Sequence, residues 1–148
     1  MSLQGLGRPS LVAAFVFILI ALAAALIGAF RSDERATRAG QRALTIGSGF
    51  VLVSTVALVI AFLSHDFSFA YVANYSSLSL SGPYRVTALW GGMEGSLLFW
   101  TMLLASFAAI ALRRSARWAP TSLQTWTLAI LAGVIGFFLV LLLWPADP

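Results

Sequence analysis

Residues 11–30 read LVAAFVFILIALAAALIGAF, an apolar stretch without a charged side chain. A helix rises about 1.5 Å per residue, so about 20 such residues cross a hydrocarbon core of about 30 Å. Three more stretches have the same character and a similar length: 44–63, 95–112 and 123–144. We therefore predict an all-α, polytopic membrane protein with four transmembrane helices, in which residues 1–148 form a single membrane domain.

The composition supports lipid as the surroundings of this chain. Hydrophobic residues make up 60% of the chain and charged residues only 9%, and the mean hydropathy is +0.94. Backbone groups in hydrocarbon must hydrogen-bond within the protein, and no stretch shows the alternation of a membrane barrel, so helices are favoured over strands. The chain has no cysteine and therefore no disulfide or thiolate metal site.

The arginines predict how the helices are oriented. Seven of the nine lie in two short segments beside the apolar stretches: Arg31, Arg35, Arg38, Arg42, Arg113, Arg114 and Arg117. Loops rich in arginine stay in the cytoplasm, so both termini and the loop 64–88 are expected outside. Because only Arg8 precedes the first stretch whereas four arginines follow it, we expect that stretch to remain in the mature protein. The polar surface of a nucleic-acid-binding protein is missing, and nucleic acid is not expected as a partner.

The predicted outer loop carries an aromatic pattern. Phe67, Phe69 and Tyr71 alternate, which places three rings on one side of an extended segment. Such a surface could stack against a flat ligand. Aromatic rings also favour the membrane interface, so an interfacial belt remains the alternative.

The start of the third apolar stretch combines glycines with an acid. Gly91, Gly92 and Gly95 allow close approach of another helix or of a ligand. Glu94 lies among apolar residues at the edge of a membrane helix, where a charge is costly and is usually functional. The alternative is that Glu94 is stabilised by the helix N-terminus and pairs with Arg85.

His65 is the one imidazole in the chain, and it is followed by Asp66. The acid could orient the ring as a ligand, but zinc and transition-metal sites need several convergent ligands. We therefore predict no metal site and favour a solvated interfacial histidine. No Ser-His-Asp or Walker-type pattern is present, so no catalytic residue is assigned.

Three segments carry a family resemblance: Asp66-Phe67-Ser68, Tyr71-Val72-Ala73, and Trp90-Gly91-Gly92-Met93-Glu94-Gly95-Ser96-Leu97-Leu98-Phe99-Trp100. With them the chain resembles the N-terminal part of the CcmF-type cytochrome c maturation proteins, a family of membrane haem lyases. The resemblance implies a component that helps to present haem for covalent attachment to apocytochrome c. This would take place on the outer face of the bacterial cytoplasmic (inner) membrane.

The resemblance also implies a cofactor, partners and a working surface. Haem would be shared with or supplied by a partner subunit. The partners would be a larger haem-lyase part, other cytochrome c maturation subunits, a haem chaperone and apocytochrome c. The candidate surface for haem or apocytochrome comprises Tyr71, Arg85, Trp90, Gly91, Gly92, Glu94 and Gly95, with His65, Asp66 and Met93 as weaker candidates. Arg85 could pair with a haem propionate.

The sequence departs from the family in two ways. Met93 stands where family members typically have histidine, and a thioether cannot transfer protons. The family's tryptophan-rich outer motif and its haem-ligating histidines would lie beyond Pro148. We therefore expect the chain to act as part of a haem lyase, and whether it is itself an enzyme stays open. The alternatives are a small proton- or solute-coupled transport subunit that uses Glu94, and a non-catalytic membrane assembly subunit.

Small and polar residues in two of the predicted helices suggest further neighbours. Membrane helices use such residues at their contacts, so more helices are expected to pack against these faces. The residues concerned are Gly47, Ser48, Gly49, Ser54 and Thr55 in the second helix and Gln124, Thr125, Thr127, Gly133 and Gly136 in the fourth.

Overall fold

The computed structural model describes residues 4–64 and 93–144, and these residues contain helices and no strand. The helices are α1 (Gln4–Arg31), α2 (Glu34–Ser64), α3 (Met93–Ser115) and α4 (Thr121–Leu143). Each is long and apolar enough to cross a membrane. The predicted all-α class and the four membrane-spanning helices are confirmed. The predicted outer loop lies almost entirely outside the described residues.

A two-residue turn joins α1 to α2. Ser32 adopts a left-handed conformation with φ of 52°, and the Asp33 N–H donates to the Gly28 carbonyl across 3.2 Å. This is the hydrogen bond with which a helix commonly closes its C-terminus. Asp33 then caps α2, because its Oδ1 accepts from the backbone N–H groups of Arg35 at 2.8 Å and Ala36 at 3.3 Å. The turn is therefore fixed by local hydrogen bonds.

The arginine-rich segment after this turn is helical. α2 begins at Glu34, although its apolar stretch begins only at residue 44. The first turns of α2 are amphipathic: Thr37, Gly40 and Leu44 are buried, whereas Arg35, Arg38 and Arg42 are exposed. Because the buried side is narrow, the segment lacks the continuous hydrophobicity by which a spanning helix is recognised.

The four helices form a bundle in which α1 and α3 each pack against α2 and α4. The N-terminal parts of α2 and α4 lie together, because the hydroxyls of Thr37 and Thr125 are 2.8 Å apart. Both arginine-rich connections therefore lie at one end of the bundle, which we call the arginine end. At the other end, the rings of Phe15 and Trp144 meet edge to face with centroids 6.5 Å apart. Which end faces the cytoplasm stays a prediction.

α1 and α2 pack along small residues that recur every seven positions. These residues are Ala14, Ala21 and Gly28 on α1 and Gly40, Gly47, Ser54 and Ala61 on α2, and all are buried. A seven-residue repeat keeps one seam facing the partner helix, and small residues bring the backbones close. At Gly47, an added Cβ would lie 3.3 Å from the carbonyl oxygen of Ala14. The pair is therefore closely packed along its length.

Most of the small and polar residues expected to meet further helices are used inside this bundle. The Ser48 hydroxyl donates to the Ala105 carbonyl of α3 at 3.0 Å, and Gln41 Nε2 donates to Gln124 Oε1 at 2.9 Å. Gly136 lies near Ile18 of α1. Gly49 and Gly133 differ from Gly28, Gly40, Gly47 and Gly136 because an added Cβ would meet no atom within 4 Å.

We expect Thr125→Val to lower the free energy of unfolding by about 1 kcal/mol, because the buried Thr37 hydroxyl loses its partner across the helix contact. The measurement is reversible unfolding of the purified chain in mixed micelles. Thr127→Val, two residues further along α4, serves as the control and should have little effect. Equal losses for the two variants would contradict the importance of the Thr37–Thr125 contact.

Candidate functional site

The candidate site lies at the end of the bundle opposite the arginine end. α2 ends at Ser64 and α3 begins at Met93 there, so residues 65–92 join the two helices at this end. Three predicted site residues fall within the described part of the chain, namely Met93, Glu94 and Gly95. The others lie outside the described residues: His65, Asp66, Tyr71, Arg85, Trp90, Gly91 and Gly92.

Glu94 occupies the first turn of α3 and is half-buried. Its Oε2 atom is buried and has no hydrogen-bond partner among the described residues. The positive end of the helix dipole stabilises a carboxylate at this position, but burial without a hydrogen bond is costly. Glu94 is therefore a polar group at this end whose buried oxygen lacks a hydrogen-bond donor among the described residues.

The residues beside Glu94 differ sharply in exposure. Met93 is 72% exposed, whereas Gly95 is buried within the bundle. Trp144 follows the last residue of α4 at the same end of the bundle, and it is 71% exposed. Amphipathic rings favour the membrane interface, so Trp144 is placed as an interfacial anchor would be. The first turn of α3 thus presents a flexible thioether outside and a carboxylate oxygen inside.

The described residues offer few ligands for a haem iron. They contain no histidine or cysteine and no group of three His, Cys, Asp or Glu side chains that could hold a metal. Among the described groups at this end, the exposed thioether of Met93 has the chemistry of an axial haem ligand. The described helices alone therefore do not fit haem as a ligated cofactor, and any imidazole must come from outside them.

Comparisons with known proteins cover the whole chain. No family model matches the sequence. It is 33% identical to the cytochrome c-type biogenesis protein CcmF of Pseudomonas fluorescens, over 97% of this chain and 22% of that protein. It is 32% identical to the cytochrome c-type biogenesis protein ccl1 of Rhodobacter capsulatus, over 96% of this chain and 22% of that protein. The solved structure of cytochrome c heme lyase CcmF superposes with a TM-score of 0.93 and 29% identity, covering all of this chain and 25% of that one.

The chain belongs to the CcmF-type family. Similarity in sequence and in fold extends over nearly all of its residues, and this confirms the family predicted from the segments around Glu94. The chain spans about a fifth of the length of the curated CcmF relatives that it matches.

The structure also shows a feature of this CcmF-type chain that the sequence reasoning missed. The arginines were interpreted only as signals of orientation, yet Arg38, Arg42 and Arg113 line one cleft between α2 and α3. Arg38 and Arg42 are four residues apart and so share a helix face, which is a signal present in the sequence. The participation of Arg113 depends on the packing of α3 against α2.

Proposed function

We propose that this CcmF-type chain is a component of a cytochrome c biogenesis haem lyase. It helps to present haem for covalent attachment to apocytochrome c on the outer face of the bacterial cytoplasmic membrane. The observation that carries this proposal is the match to a solved haem lyase over all of the chain, with a TM-score of 0.93. The chain spans about a fifth of the length of its curated relatives, so the lyase activity is proposed for the complete lyase and not for these 148 residues alone.

The described helices support the role of a scaffold in that assembly. The close α1–α2 packing and the contacts of α2 with α3 hold the two helix ends to which residues 65–92 are attached. In haem attachment the porphyrin supplies the reactive group, and the protein supplies orientation and excludes water. A larger haem-lyase part would provide the imidazoles that the described helices lack, and a haem chaperone would deliver the haem.

Glu94 is the described side chain best placed to take part in this surface. Its carboxylate, whose Oε2 has no partner among the described residues, would accept a hydrogen bond from apocytochrome or from another subunit and so fix the position of the partner. Trp90, Gly91 and Gly92 lie two to four residues before it in the chain. They belong to the same proposed surface, with Arg85 as a partner for a haem propionate.

The distribution of carboxylates favours this function over a proton-coupled transport subunit. Transport carboxylates usually lie near the middle of the membrane. In the described helices the acids lie near helix ends, with Glu34 at the start of α2 and Glu94 at the start of α3. The described part of the chain thus has no acid in the middle of a span.

The proposal predicts that a bacterium deprived of this chain loses covalent haem from its c-type cytochromes, and that the intact chain restores it. Haem-stained gels of membrane fractions measure the result, with a b-type cytochrome as the control for haem supply. The complex purified through this chain should retain haem, which a purely structural assembly subunit does not require. Normal c-type cytochromes without the chain would contradict the proposal.

A further inference from the structure

The arginine end of the bundle contains a basic cleft between α2 and α3. It has a volume of about 330 Å³ and is lined by Arg38, Gln41, Arg42, Thr45, Ile46 and Arg113. A guanidinium group binds phosphate through two parallel N–H···O hydrogen bonds. Gln41 Nε2 already donates to Gln124 and the Thr45 hydroxyl to the Gln41 carbonyl, so the arginines supply the donors for a phosphate. The cleft therefore has the chemistry to hold a phosphate group.

Two of its three arginines have no acidic partner in the described part of the chain. Arg38 forms an exposed ion pair with Glu34, with 3.5 Å between Nη2 and Oε2. Arg42 and Arg113 have no comparable ion pair with a described carboxylate. Like charges brought together repel one another, so an anion in the cleft would relieve that repulsion.

An exposed apolar stripe continues from the cleft along α2. Arg42, Ile46, Gly49, Val53 and Val56 follow at helical spacing, and all five are exposed. An added Cβ at Gly49 would meet no atom within 4 Å, so the missing side chain leaves a notch in the stripe. The stripe leads from the charged end of the bundle towards its middle.

α3 runs antiparallel to α2, and its Arg113 lines the cleft. The Ser48 hydroxyl donates to the Ala105 carbonyl at 3.0 Å, and this contact shows which residues of the two antiparallel helices lie side by side. In this register Ile46 is about level with Phe107, whose ring is 64% exposed. The charged cleft therefore adjoins an exposed apolar face of α2 that begins at Ile46.

We infer that this cleft and the apolar stripe bind an acidic phospholipid, with its headgroup phosphate between Arg42 and Arg113 and an acyl chain along Ile46, Gly49 and Val53. Basic pockets between membrane helices recognise such headgroups. The apolar stripe beside the cleft favours a lipid over free inorganic phosphate, because only a lipid carries both a phosphate and an apolar chain. The site is at the opposite end from Glu94 and is independent of the proposed haem-lyase function.

The test is native mass spectrometry of the purified 148-residue chain titrated with phosphatidylglycerol or phosphatidylcholine. We expect phosphatidylglycerol to bind about tenfold more tightly, and Arg42→Gln/Arg113→Gln to remove that preference. The matched control is Arg31→Gln/Arg35→Gln, which removes the same charge from the same end but outside the cleft, and it should keep the preference. Gly49→Leu fills the notch and should weaken lipid binding severalfold with all arginines intact.

Each alternative outcome is decisive. Equal loss in the two double variants would show attraction by general positive charge and would overturn the site. Displacement of the lipid by inorganic phosphate at equal affinity, or an unchanged Gly49→Leu, would overturn a lipid as the ligand. Circular dichroism checks that each variant is helical, and if a double variant does not fold, Arg42→Gln and Arg113→Gln are measured singly, each with an expected partial loss.

Discussion

Gly40→Ala is expected to lower the free energy of unfolding by about 1–3 kcal/mol, as overpacking of a close contact does. An added Cβ would lie 3.1 Å from the Ala21 carbonyl oxygen, 3.2 Å from the Ala24 Cβ and 2.8 Å from Leu128 Cδ2. The Leu128 side chain is fully buried and has little room to move, and the other two atoms belong to the facing helix. Relief of the contact therefore requires α1 and α2 to separate.

Gly49→Ala, nine residues further along α2, is the matched control. An added Cβ meets nothing within 4 Å there, and alanine is the better helix former by about 1 kcal/mol. We expect this variant to be as stable as the original chain or slightly more stable. Reversible unfolding in mixed micelles measures both variants. A Gly40→Ala chain as stable as Gly49→Ala would contradict the close packing of α1 on α2.

Glu94→Ala is expected to abolish cytochrome c maturation in a bacterium that depends on this chain, while the bundle keeps its stability. The buried Oε2 has no hydrogen-bond partner among the described residues, so the loss of this atom removes no hydrogen bond seen in the described helices. Removal of an unsatisfied buried polar atom is neutral or stabilising for folding. Trp90→Ala, in the adjoining segment, should lower maturation in the same assay.

The loss should be specific to this carboxylate. Glu34→Ala removes an acid from the first turn of another helix, at the arginine end, and should leave maturation intact. Glu94→Gln keeps the shape and one acceptor oxygen, so partial activity would indicate hydrogen bonding, and complete loss would indicate a need for charge. Haem staining of c-type cytochromes together with unfolding of the purified variants gives both readouts. Normal maturation with Glu94→Ala would remove Glu94 from the proposed surface.

The apolar stretches were sufficient to predict the helices, because a membrane imposes both their length and their internal hydrogen bonding. Glu94 could also be selected from sequence, since a carboxylate among apolar residues at the edge of a span is unusual. That its Oε2 lacks a partner among the described residues was not predictable, because this depends on which groups surround the helix end. The candidates between His65 and Gly92 stay predictions.

Hydrophobicity alone did not determine where α2 begins. Arg35, Arg38 and Arg42 interrupt the apolar pattern, and only the packing of Thr37 and Gly40 against neighbouring helices shows why the segment is helical. The neighbours that the small and polar residues contact also depend on the tertiary structure. Ser48 and Thr125 could equally have faced additional helices, but they meet partners inside this bundle.

The sequence by itself determined that this chain is an all-helical membrane protein of the CcmF type, because length, hydropathy and local motifs are properties of consecutive residues. The tertiary structure decided which small residues bring α1 and α2 together and which arginines share a cleft. Those features join residues far apart in the chain, such as Arg42 and Arg113. Their proximity depends on how the helices rotate and align against one another, which no single stretch of sequence specifies.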